Sequence, residues 1–161
     1  MRICLKWDFC MQSQKTKNLL LGVSGSISAY KAYDLTREMR RRGYTVRVVL
    51  TKGAEEFVEW RTFLYLGAEA VYRGHDDFRY PQNNSLEKNN PSTHREEVSN
   101  VLHIALARWC DVFTIAPASA EIVSRLVHGQ VSDLLSCLFL SLKKETPQLF
   151  FPAMNTQMLN H

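Results

Sequence analysis

The sequence lacks any apolar run near the roughly 20 residues that a bilayer-spanning helix needs, and its first residues contain no secretory apolar segment. Membrane and secreted classes are therefore not expected, and the chain reads as cytoplasmic. Cysteine is scarce: Cys4, Cys10, Cys110 and Cys137 form no CxxC pair, so neither a disulfide framework nor a thiolate metal site is implied. His75 beside Asp76 and Asp77 is the only run resembling a metal set, and three neighbours in one loop do not make a site. No internal repeat is visible. Charge of one sign is also in short supply, with 20 basic against 16 acidic residues and a net charge of +4. The densest basic run, Arg40 to Arg42, precedes Gly43 where a helix should end, which suits the helix dipole and solvent. With no accompanying nucleic-acid motif, no nucleic-acid partner is expected.

What is present fits one ordinary core. A chain of 161 residues with 45% apolar and 22% charged residues lies in the globular range for a single domain. Residues 1–17 mix polar, basic and aromatic side chains without a period and read as a disordered tail, leaving 18–161 as the folded domain. Asn18 to Val23 is a short apolar run ended by Ser24-Gly25-Ser26, which suits a buried strand and a tight turn. Ser28, Ala32, Leu35 and Met39 then recur on one helical face, with Gly43 as a stop, and Thr45 to Leu50 is a second, β-branched strand. Strand, helix and strand in succession form a βαβ unit, the first half of a doubly wound, Rossmann-like or flavodoxin-like parallel sheet with helices on both faces. Residues 53–66 suggest another helical region, with Phe57 and Trp60 apolar among acidic neighbours. Residues 80–97, rich in Asn, Ser and Pro, read as a long mobile flap. Val98 to Trp109 carries a helical face, Asp111 to Ala116 a third strand ending at Pro117, and Ile122 to Val127 a short helix closed by Gly129. Val131 to Leu142 traces a longer helix, and Gln148 to Phe151 a last strand.

In open parallel sheets ligands bind beyond the carboxyl ends of the strands. That rule brings together Gly22 to Ser28, Thr51 to Ala54, Pro117 to Ile122 and Pro152 to Met158. The first of these, GVSGSIS, offers backbone N–H groups and serine hydroxyls before a helix and is a candidate anion cradle; serine stands where a dinucleotide fingerprint requires glycine, so it is not a GxGxxG motif. His103 projects roughly 130° from the centre of its helix's apolar stripe, so it is not a core residue of that face, and a histidine is the natural proton carrier near neutral pH. The residues alone reach a small-molecule site for a phosphorylated ligand.

Four blocks in order, GVSGSISAYKA at 22–32, HIALARWCD at 103–111, APASAEI at 116–122 and PAMNTQM at 152–158, resemble the homo-oligomeric flavin-containing cysteine decarboxylases. The resemblance runs from about Lys17 to the last residue. It implies an FMN cofactor lined by Gly25, Ser26, Ile27, Thr51, Lys52, Ser119, Ala120, Glu121, Ile122 and Ala153. It also implies that His103 carries the active-site proton, that Asn155 holds the substrate carboxylate, and that Met158 belongs to the same substrate motif. The implied reaction is decarboxylation of a cysteine conjugate. Phosphopantothenoylcysteine of coenzyme A synthesis is the nearest substrate, and the alternatives are a peptidyl-cysteine decarboxylase, a flavin prenyltransferase relative and a catalytically incomplete flavin-binding regulatory subunit. A homotrimer or a multiple of trimers is implied as well. Two positions depart from the family pattern: Glu121 replaces the usual Asn, and Leu159 a usual aromatic. The family's C-terminal clamp segment and its cysteine have no counterpart here, so full turnover is expected to depend on a clamp supplied elsewhere.

Overall fold

The computed structural model describes residues 16–76 and 101–161. Most of the expected tail and the whole expected flap lie outside these residues, as does Val98 of the expected helix. Five strands form one parallel sheet: β1 (Asn18–Val23), β2 (Thr45–Leu50), β3 (Ala70–Arg73), β4 (Val112–Ala118) and β5 (Gln148–Pro152), in the order β3-β2-β1-β4-β5. This is the expected doubly wound α/β sheet. The central strand β1 pairs with β2 from Asn18↔Thr45 to Val23↔Leu50, and with β4 from Leu19↔Val112 to Gly22↔Ile115.

Side chains alternate along a strand, so a central strand covered on both faces must be apolar at every step. Leu19, Leu21 and Val23 enter one cluster with Val46, Val48 and Leu50, covered by Ala29 and Ala32 of the first crossover and by Val58 and Phe63. Leu20 enters the other cluster with Val49, Phe113 and Ile115, covered by α4 (Leu102–Trp109), α5 (Ala120–Val127) and α6 (Leu134–Ser141). The helices hold their apolar faces at the spacing the sequence shows: Leu102 with Leu106, Ile122 with Leu126, and Leu134 and Leu135 with Leu138 are all buried. Where β1 passes under α6, a Cβ on Gly22 would lie 2.6 Å from Leu135 Cδ1, so any larger residue would displace that side chain.

The crossover after β1 begins as a 3-10 turn at Ile27–Tyr30 and continues as α1 (Lys31–Arg41), ending at Gly43 with φ +84°. The basic run at its end folds back on Glu38, which accepts from Arg41 Nη1 at 3.0 Å and Arg42 Nε at 2.8 Å. These guanidinium groups hold the Glu38 carboxyl below its ordinary pKa, the Arg42 hydrogen bond first.

Three expectations change. The region 53–66 is two short helices, α2 (Lys52–Glu55) and α3 (Trp60–Tyr65), because Glu59 is extended and caps α3 through a hydrogen bond from Arg61 N. The break turns Val58 and Phe63 into the core and leaves Phe57 52% exposed. β3 has no counterpart in the sequence reading. The helix expected from Val131 starts only at Leu134, with Val131 exposed, since Asp133 closes a capping box with Ser136.

Candidate active site

All five strands run parallel, so their exits share one edge of the sheet. Short hydrogen bonds fasten neighbouring exits to one another. Thr51 N donates to Val23 O at 3.0 Å, and Ala153 N to Ala118 O at 2.9 Å. Between β1 and β4 the link is a side chain: Ser24 is fully buried, its Oγ donates to Pro117 O at 2.7 Å and accepts from Ser119 N at 2.8 Å. The Ala116–Pro117 bond is cis, and the strand runs through it to Ala118.

Each exit then turns into a helix or turn through a capping side chain. Ser26 Oγ accepts from Ser28 N, Thr51 Oγ1 from Ala54 N, and Ser119 Oγ from Ile122 N. Three hydroxyls are thereby fixed at the exits of β1, β2 and β4, with the Lys52 side chain exposed beside them. The loops after β1 and β2 nearly touch: a Cβ on Gly25 would lie 3.0 Å from the carbonyl carbon and oxygen of Gly53, so glycine is what allows this cradle.

Three hollows open along this edge. One of about 360 Å³ unites Thr51, Lys52 and Glu121, with Gly53, Arg125 and Asp133. A second, largely apolar and about 390 Å³, lies between Ser28, Lys31 and Leu35 of the first crossover and Pro117, Phe151 and Ala153. The third, about 350 Å³, holds Asn155 and Met158 with Ala120, Gln157 and His161. Ile27 is 84% exposed at the cradle, an apolar side chain open to solvent. Ile122, by contrast, is fully buried in the core, so only its backbone is available to a ligand.

Asn155 caps α7 (Thr156–Leu159), and its Oδ1 accepts from Met158 N at 2.8 Å. That bond fixes which end of the amide is oxygen and leaves the NH₂ end as donor. His103 is half-buried in the first turn of α4 and is engaged in an interaction. The last turn of α4 stands at the start of β1, where Asn18 Nδ2 donates to Trp109 O at 2.9 Å, so its first turn points toward the strand exits. Among the described residues no group of three His, Cys, Asp or Glu side chains could hold a metal ion, and no helix is long and apolar enough to cross a membrane.

Arg125 and Asp133 are site residues that the sequence reading missed, and Ser24, inside the expected GVSGSIS cradle, takes a linking role that it did not foresee. Glu121 and Arg125 stand four apart on one helix, a legible pair spacing, and Asp133 with Ser136 is a legible cap. Nothing local marks Ser24 as the link between two loops.

Comparison with known proteins agrees with this fold. Residues 10–161 match the Flavoprotein family. A probable phosphopantothenoylcysteine decarboxylase of Streptococcus mutans is 38% identical over 143 residues, covering 89% of this chain and 70% of the relative. The coenzyme A biosynthesis bifunctional protein CoaBC of Vibrio vulnificus is 37% identical over 148 residues; this chain spans only 32% of its length, and 92% of the chain is covered. Among solved structures, a PPC decarboxylase mutant complexed with pantothenoylaminoethenethiol superposes with a TM-score of 0.70 at 28% identity, over 91% of this chain and 72% of that one. The FMN binding protein AtHal3 gives 0.72 at 29% identity, over 91% and 71%. A doubly wound sheet whose exits carry capped hydroxyls, and which matches that family across nearly its whole length, makes this chain a member of the flavoprotein family.

Proposed function

We propose that this chain binds FMN and decarboxylates 4'-phosphopantothenoylcysteine to 4'-phosphopantetheine in coenzyme A biosynthesis. The observation that carries the reading is the set of hydroxyls of Ser26, Thr51 and Ser119, each fixed by its own cap at an adjacent strand exit. The donor set suits a phosphorylated flavin: hydroxyls, backbone N–H groups and the Lys52 ammonium for the phosphate, with exposed Ile27 as an apolar surface for a ring. Gly25, Ala120, Glu121, the backbone of Ile122 and Ala153 complete the lining. The names of the relatives supply the substrate class, and the apolar hollow beside Ala153 supplies room for an acyl chain.

FMN would supply the two-electron oxidation of the cysteinyl group and the matching reduction after loss of CO₂, and the chain's own residues would supply binding and proton handling. Asn155 donates from Nδ2 to the substrate carboxylate, held in that orientation by its bond from Met158 N. Met158 packs on the substrate beside it, and His103 accepts the thiol proton. The active assembly is a homotrimer or a multiple of trimers.

The test is an absorbance spectrum of the purified protein, followed by anaerobic addition of phosphopantothenoylcysteine with mass detection of CO₂ and product. A yellow protein that yields phosphopantetheine supports the reading, and His103→Asn should stay yellow while losing product formation. A yellow protein without product leaves a flavin-binding subunit that does not catalyse, and a colourless one removes FMN.

A further inference from the structure

Arg125 lines the 360 Å³ hollow that also holds Thr51, Lys52 and Glu121. Its side chain is only 19% exposed and its guanidinium is committed on two sides: to Glu121, one turn earlier on α5, and to Asp133 Oδ2 at 2.6 Å. The two carboxylates are not equivalent. Asp133 already uses Oδ1 to accept from Ser136 N at 2.9 Å and from Ser136 Oγ at 2.8 Å, where it caps α6. Glu121 is 62% exposed and stands in the first turn of α5, two residues after the Ser119 cap.

Lys52 and Arg125 face Glu56, Glu121 and Asp133 around this hollow, two cations against three anions, and with its guanidinium already committed to Glu121 and Asp133 Arg125 is a poor ligand for a phosphate. We propose that Arg125 is a positioning residue that holds the Glu121 carboxylate in an ion pair and masks its charge, so that the site tolerates the added negative charge of a reduced flavin. The inference rests on the reading that FMN lies against Ala120 and Glu121.

Removing the guanidinium would expose one full negative charge to the ring at a distance of several ångström in an intermediate dielectric. That should weaken the affinity for reduced relative to oxidised FMN by about tenfold, which for a two-electron couple is a midpoint potential more negative by about 30 mV. The experiment measures FMN affinity and the potential of bound FMN in the wild type, Arg125→Gln, Glu121→Gln and the double variant. Expected are a negative shift in Arg125→Gln, a positive shift in Glu121→Gln, and a return toward wild type in the double variant. An unshifted Arg125→Gln overturns the inference. So does a double variant as impaired as Arg125→Gln, since Arg125 would then act through Asp133 and α6. If Arg125→Gln fails to melt cooperatively, Glu121→Gln decides, because the Arg125–Asp133 pair stays in place: a positive shift supports the inference and no shift overturns it. A wild type that binds no FMN overturns the functional reading, whereas a wild type that binds it beside unshifted variants overturns this inference alone.

Discussion

At Asn155 the two ends of one amide do different work: the oxygen holds the first turn of α7, and the nitrogen is thereby presented to the hollow it shares with Met158. Cys110 shows the opposite use of a polar group. Only 6% exposed between α4 and β4, it packs as a small hydrophobe, and burial pushes its thiol up to about 11 from an ordinary 9.0. A group whose folded pKa is raised keeps its full stabilising contribution below the unfolded value and loses it as pH rises through the folded one. The protein should therefore lose stability between pH 9 and 11, by about 2–3 kcal/mol from this thiol alone. Urea unfolding at both pH values checks this: Cys110→Ala should show a shallower decline, and an equal decline in both proteins would remove Cys110 as its source.

Between elements, the closest approach in the cradle is that of the Gly25 and Gly53 backbones. Gly25→Ala places a methyl against backbone atoms that cannot rotate away, so the loops after β1 and β2 must part. FMN affinity should fall by at least about tenfold, while the thermal midpoint moves by only a few degrees, since the core clusters are untouched; titration of the apoprotein with FMN measures the first, and unchanged affinity would show that the loops are not the cradle. How much of this was legible follows from what each element buries. β1 and β2 were readable to the residue because β1 is a continuous apolar run, β2 is β-branched and apolar apart from Arg47, and both are bracketed by turn signals. β3 was not, because its four residues are all half-buried and form no apolar run. The break at Val58 and Glu59 was hidden because the segment around it has the composition of a helix, and only packing selects Val58 and Phe63 over Phe57. In the site, the hydroxyl caps could be read as serine or threonine at strand exits. Ser24 could not, since its partner Ser119 is 95 residues away.

For the whole molecule, the open question is what meets the apolar groups left at the surface. Leu149, Phe150 and Phe151 on β5 are 50%, 38% and 53% exposed, and Ile27 and Tyr30 are exposed at the cradle. Exposure of this kind on an otherwise well-packed domain marks contact surfaces, in keeping with the proposed homotrimer. Light scattering should give three times the 18.6 kDa of one chain, or a multiple of that; a species of single-chain mass would sink the assembly.

The fastening of β1 to β4 also governs how the crevice comes into being. Leu20 lies beside Phe113 and Ser24 bonds to Ser119, so the two walls are contributed by segments nearly a hundred positions apart. Closing so long a loop costs chain entropy before any contact returns it, and parallel sheets assembled this way form slowly. The first three strands alone would carry Ser26 and Thr51 with nothing opposite. The crevice is therefore complete only once the two halves of the chain have met.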